Sequence, residues 1–150
     1  MIMDELLEFA DATALSTAGT GLAAVGDVID LGATPQDLGN GRQMYLVIQV
    51  DTAVTSAGSA TVSFQLVSDG TSTLAANGTE TLHYASAAIG KADLVAGYEI
   101  VVAVPLEGSI AYERYLGIFH LPGTATLTAG AVNAYIVKDS AQWVSLPDAI

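Results

Sequence analysis

Apolar and polar residues alternate along most of this chain with the two-residue period of β-strands. Ala60, Val62, Phe64 and Leu66 alternate with polar residues, which predicts a half-buried strand with one face in water. Residues 44–51 are apolar on both faces. That pattern indicates either a strand inside a sheet, or a strand with one face on the core and the other on a neighbour.

Further strands are predicted where the same pattern recurs, at residues 27–31, 79–86, 98–104, 114–121 and 130–137. Residues 6–10 fit either a first strand or a short helical turn, and residues 93–97 fit one turn of helix. Turn sequences separate these runs, among them Asn77-Gly78 and Pro122-Gly123. About eight short strands without a linker predict a single all-β domain over residues 1–150, an antiparallel jelly-roll sandwich with extended N- and C-terminal segments.

Composition narrows the classes of function. The chain has no cysteine, and its 4 basic and 16 acidic residues give a formal charge of −12. Such a surface repels phosphate, so we expect neither nucleic acid nor anionic lipid as a partner. The acidic residues then form either a solvated surface, which we favour, or a face that meets a basic partner. Apolar runs such as residues 100–106 are far shorter than the ~20 residues of a membrane-spanning helix. The acidic start of the chain does not predict a signal peptide.

Groups capable of catalysis are sparse and scattered, whereas enzymes usually gather titratable groups in one place. Glu107 and Glu113 flank a short loop and could form an acid–base pair, although Arg114 could neutralise one of them. His83 and His120 lack partners at metal-ligand spacing, so we expect each to be a hydrogen-bonded structural histidine. We therefore expect a protein that is not an enzyme and that needs no cofactor or metal.

Three weaker motifs have simple structural explanations. Residues 19–24, Gly-Thr-Gly-Leu-Ala-Ala, match a dinucleotide-binding fingerprint in letters only, because they lead into a predicted strand and not into a helix. Asp27, Asp30 and Asp37 offer carboxylates to calcium, but an offset of three places Asp27 and Asp30 on opposite faces of a strand. The sequon that begins at Asn77 most simply marks a turn.

The order of short motifs along the chain resembles the small jelly-roll capsid cement, or decoration, proteins of tailed bacteriophages, particularly short-tailed ones. The segments that carry this resemblance are residues 1–7 (MIMDELL), 28–32 (VIDLG), 37–41 (DLGNG), 45–52 (YLVIQVDT), 93–98 (DLVAGY), 113–116 (ERYL) and 139–143 (DSAQW), followed by Pro147. The resemblance implies a homotrimer on the outer surface of the virion head. There it would bridge capsomers of the major capsid protein and hold the expanded shell against the pressure of packaged DNA.

The terminal segments, residues 1–9 and 142–150, are our candidates for the arms that reach a neighbouring subunit, because they combine apolar residues with a terminal position. The candidate interface residues are Leu6, Leu7, Phe9, Trp143, Val144 and Leu146.

A jelly-roll fold also allows two alternatives to a cement protein. A carbohydrate- or receptor-binding accessory domain of a virion needs a cluster of exposed aromatic residues, and Tyr112 and Tyr115 are the one close pair. A metal-dependent jelly-roll enzyme needs closely spaced histidines, which the solitary His83 and His120 do not provide.

Overall fold

Two antiparallel β-sheets packed face to face make up the described part of the chain. The computed structural model describes residues 5–33, 38, 43–105 and 110–138. Its elements in chain order are a 3-10 helix (Glu5–Leu7), β1 (Glu8–Ala14), β2 (Ala23–Asp30), β3 (Tyr45–Thr55), β4 (Thr61–Asp69), β5 (Thr81–Ala85), β6 (Ile89–Gly90), β7 (Glu99–Ala103), β8 (Tyr115–Gly123) and β9 (Ala129–Val137).

The strand order is that of a jelly roll. Sheet A has the order β1-β9-β3-β7, and sheet B has the order β2-β8-β4-β5. The short strand β6 pairs with β4 next to β5, so β5 and β6 act as one strand that is interrupted between Ala85 and Ile89. Counted this way, the sandwich has four strands in each sheet. Successive strands alternate between the sheets except β4 and β5, which pair as a hairpin within sheet B, and this is the arrangement of a jelly roll. The predicted all-β jelly-roll sandwich is therefore confirmed.

The core lies between the two sheets and follows the two-residue period of the strands. From sheet A, β3 contributes Leu46, Ile48 and Val50; from sheet B, β4 contributes Val62, Phe64 and Leu66; every one of these residues is buried. Apolar burial of this kind is the main stabilising term of a domain that contains no disulfide. The core also fixes which side chains point outward.

The prediction of a wet face on β4 was wrong. Ser63 and Val67, on the face away from the core, are buried as well, with 9% and 1% of their surface exposed. The loop between β4 and β5 folds over this side of sheet B, where Leu74 packs against Gly117, the β8 partner of Val67. The alternation of apolar and polar residues within β4 cannot reveal this loop, because the residues that cover the strand lie elsewhere in the sequence.

Other local predictions were refined. Residues 6–10 contain both proposed structures, a turn of 3-10 helix followed at once by β1. Residues 93–97 form turns and not a helix. Pro122-Gly123 lies within β8 and not in a turn. Pro122 pairs with Val62 of β4 and lies beyond the first residue of β2, Ala23, which pairs with His120. On the β2 side, therefore, no strand requires the N–H that proline lacks.

Among the described residues no helix is long and apolar enough to cross a membrane.

Gly26 marks a close approach of β2 to β1, and its replacement tests this packing. Its φ is +67°, and a Cβ atom here would lie 1.9 Å from the carbonyl oxygen of Phe9. We expect Gly26→Ala to lower the free energy of unfolding by more than about 3 kcal/mol, because backbone must move. Gly78→Ala is the matched control. The φ of Gly78 is also positive, at +86°, but a Cβ atom there would meet no other atom within 4 Å. This control should cost only about 1 kcal/mol of conformational strain. Equal losses in urea denaturation would contradict the close approach.

Candidate functional site

The described N-terminal interface candidates occupy three different environments. Leu6, in the 3-10 helix, is 79% exposed, which makes it the most exposed large apolar residue in the described part of the chain. Leu7 is half-buried against the core, and Phe9 is 1% exposed inside it. Of these three residues Leu6 is the exposed one, whereas Phe9 packs within its own chain. The other candidates, Trp143, Val144 and Leu146, lie outside the described residues.

The outer face of sheet A carries a second apolar cluster, separate from the core. It consists of Val47, Tyr135 and Val137 with the partly buried Tyr45. Next to it on the edge strand β7, Val101 pairs with Val47 and is 44% exposed. Burial, and then the nearby charge of Glu99, raise the pKa of Tyr135. The apolar residues on both faces of segment 44–51 were the sequence signal for this surface.

A polar cluster at one end of the sandwich joins β4, β5 and the segment that leads into β8. The Oγ atom of Ser68 lies 2.7 Å from Nε2 of His83 and accepts the Glu113 amide N–H at 3.0 Å. Thr81 donates its hydroxyl to Oε1 of Glu113 at 2.6 Å. The Tyr112 ring stacks on His83 with 4.0 Å between ring centroids. Sequence reasoning named His83 and Glu113 separately but did not find Ser68.

Serine, histidine and glutamate are also the components of a hydrolase triad, but their arrangement here is a structural one. Ser68 is fully buried, so its hydroxyl is not presented to a substrate. The carboxylate of Glu113 accepts its hydrogen bond from the Thr81 hydroxyl and not from the histidine ring. Burial lowers the pKa of His83, against the opposing charge of Glu113. The expectation of a hydrogen-bonded structural histidine is met.

His120 is buried on the core side of β8. Its Nε2 atom lies 3.4 Å from the carbonyl oxygen of Ser16, and within the described residues its Nδ1 atom has no hydrogen-bond partner. Burial lowers the pKa of His120, and the backbone of Ser16 and Ala23 only partly opposes this. The neighbouring loop lines a shallow depression of about 250 Å³ and leads into β2, as predicted for residues 19–24. It therefore lacks the helix that the dinucleotide fingerprint requires.

The acidic candidates are not gathered into one site. Asp30 forms a two-point ion pair with Arg114 and accepts the Gly32 amide, and these contacts lower its pKa to about 2. Arg114 therefore neutralises Asp30 and not Glu113, contrary to expectation. Asp27 is exposed, while Asp37 and Glu107 lie outside the described residues. In the ranges that the structure describes, no three His, Asp or Glu side chains converge as a metal site would need.

Asp69 organises the loop that covers sheet B. It is 3% exposed and accepts hydrogen bonds from the Thr71 amide and hydroxyl and from the Thr79 hydroxyl. Burial alone would raise the pKa of Asp69, but these hydrogen bonds outweigh it and lower the pKa. Asn77 accepts from Thr79 within the same loop, so the sequon marks a turn as predicted.

The tyrosine pair proposed for sugar binding is divided between the core and the surface. Tyr112 is 1% exposed, and its ring stacks on His83. Its hydroxyl donates to the carbonyl of Pro105. Tyr115 is half-buried beneath the Arg114 guanidinium, 5.0 Å from the ring centroid. These two rings do not present a shared flat surface to a sugar.

The two histidines predict a stability that depends on pH. Both have a folded pKa below the ordinary 6.5, so their neutral forms contribute stability that is complete above pH 6.5. It is lost as the pH falls from 6.5 through the lower folded values, because the unfolded chain binds protons first. We expect the unfolding free energy from urea titrations to decrease between pH 7.5 and 5.5, with an uptake of at most about two protons. A flat profile in this range would contradict the burial of both rings.

The comparisons with known proteins point to one family. The family model described as Bbp16 matches residues 9–136, a span that runs from β1 into β9. No curated protein matches the chain. Since the matched region covers most of the 150 residues, the chain belongs to the Bbp16 family.

Proposed function

We propose that this chain is a structural virion protein that binds the outside of a bacteriophage head as a homotrimer. It would bridge capsomers of the major capsid protein and stabilise the expanded shell against internal DNA pressure. The observation that carries the proposal is the family match over nearly the whole jelly roll, because the name of that family suggests a phage-related protein. The cement role and the trimer follow from the resemblance of the sequence motifs.

The exposed apolar residues support a role in assembly. Besides Leu6, the side chains of Val95, Val101 and Ile110 are 44–53% exposed. Stable subunit interfaces are more apolar than free surface, so contact with a shell or a second copy is one way to bury such residues. Symmetry would add to the effect, since each further contact of an attached oligomer is effectively intramolecular.

The charge of the chain supports attachment to protein and not to DNA. Two cations of the described residues are engaged within the chain, Arg114 with Asp30 and Lys91 with the carbonyl of Ser56. With a formal charge of −12, the chain repels packaged or free DNA and would remain on the outer surface of the shell.

Co-sedimentation with expanded heads that lack the protein tests the proposal directly. We expect the purified chain to pellet with the heads and to saturate at a fixed ratio to the major capsid protein. Light scattering of the free protein should give three times the mass of one chain. A different mass would contradict the trimer, and a lack of pelleting at every salt concentration would contradict head binding.

The terminal arms are tested by substitutions at two of the candidate residues. Leu6→Asp should weaken head binding or trimer formation about 10- to 100-fold, the effect of losing one buried leucine contact. Leu82→Asp is the matched control, because it places the same charge at an exposed leucine on the edge of the other sheet. Trp143→Ala should also weaken one of the two associations. Unchanged behaviour of both variants in both assays would eliminate the terminal arms as contacts.

Failure of head binding would favour the second candidate, a carbohydrate- or receptor-binding accessory domain of a virion. A glycan panel distinguishes the two, since specific glycan binding without head binding fits only this alternative.

A further inference from the structure

The buried hydroxyl of Ser68 links His83 to the segment that leads into β8. This lead-in segment, residues 110–114, is held by the hydrogen bond from the Glu113 amide to Ser68 and by the stacking of Tyr112 on His83. Ser68 and His83 belong to the neighbouring strands β4 and β5. A change at His83 therefore acts on the lead-in segment through two contacts.

Counting hydrogens at Ser68 fixes the protonation state that fits this geometry. A serine hydroxyl has one donor and two acceptor positions. Its oxygen already accepts the Glu113 amide, and for its own proton the described residues provide His83 Nε2 as the acceptor, at 2.7 Å. His83 must then be neutral, with its proton on Nδ1. A protonated His83 would instead donate from Nε2, and the buried Ser68 hydroxyl would lose its acceptor.

We propose that the lead-in segment is an acid-sensitive element, locked in place while His83 is neutral and loosened when His83 takes up a proton. Protonation changes the contact with Ser68 and, through it, the hydrogen bond to the Glu113 amide. Ile110 lies in this segment and is 51% exposed, so loosening changes an apolar part of the surface. The inference concerns the fold of the chain and does not depend on the proposed function.

The charged groups around His83 define the competing effect. In the lead-in segment, the carboxylate of Glu113 favours protonation of His83, and the ring of Tyr112 stacks on the imidazole. The group that contacts His83 from β4 is the uncharged hydroxyl of Ser68. On β5 itself, Thr81 donates to the Glu113 carboxylate and thereby holds it. Burial of the imidazole outweighs the attraction of Glu113. If the protonated ring turned toward Glu113 instead, acid would tighten the segment, and the experiment separates these outcomes.

Nuclear magnetic resonance of the full chain provides the test. At pH 7.5, imidazole nitrogen shifts should show His83 as the tautomer that carries its proton on Nδ1. As His83 titrates at a pH below 6.5, the protection of the Glu113 amide against hydrogen exchange, corrected for the intrinsic rate, should fall about tenfold. The Ser86 amide, which donates to the Phe64 carbonyl in the same sheet, should keep its protection.

Two serine variants separate the proposed link from a general effect on β4. Ser68→Ala removes the donor to Nε2, so the His83 pKa should rise and the Glu113 amide should lose most of its dependence on the His83 titration. Ser63→Ala, at another buried serine of the same strand, should leave both readouts unchanged. If Ser68→Ala does not fold, the His83 tautomer and the Glu113 amide protection of the natural chain still test the proposal. A proton on Nε2 at pH 7.5, or Glu113 protection that stays constant or rises as His83 titrates, would overturn the proposal.

Discussion

The antiparallel pairing of β9 with both β1 and β3 is the interaction on which the rest of the jelly roll depends. It joins strands from near the two ends of the described chain, and β9 completes sheet A between them. Its inward side chains, Val132, Ala134 and Ile136, also belong to the core. Because these contacts span most of the sequence, long loops must close before any of them forms, which favours folding of the sandwich as one unit. The apolar cluster on the outer face of sheet A exists only once this pairing has formed, because it joins side chains of β3 and β9.

The two sheets differ in where they bury polar groups. Among the described residues, the buried polar side chains are Ser63, Ser68 and Asp69 of β4 and His120 of β8, the two central strands of sheet B. The hydrogen bond from the Glu113 amide to Ser68 holds the lead-in to β8, and the hydrogen bonds to Asp69 hold the loop over sheet B. Sheet A instead places tyrosine and valine on its outer face. The molecule thus uses polar contacts to order its loops in one sheet and keeps an apolar surface on the other.

Local patterns were sufficient to predict the strands but not what covers them. The alternation at residues 60–66 located β4 correctly, yet the loop that covers this sheet beside Val67 comes from later in the chain. Pro122-Gly123 looks like a turn because sequence alone does not reveal that the pairing of β8 with β2 stops at His120, short of Pro122. For the same reason, His83 and Glu113 were recognised singly. Their connection through Ser68 depends on the pairing of β4 with β5 and on the return of the chain at β8, which no spacing in the sequence encodes.

Charge and exposure together define the kind of contact that this surface can make. With 16 acidic and 4 basic residues, and with Arg114 and Lys91 bound within the chain, long-range attraction is available only toward a basic partner. At short range the exposed apolar side chains, such as Leu6 and Val101, add contacts that do not depend on salt. A few such contacts give weak binding for one subunit, but several symmetric copies that engage together hold far more firmly. In this way the trimer that we propose would hold a repeating surface more firmly than a single subunit could.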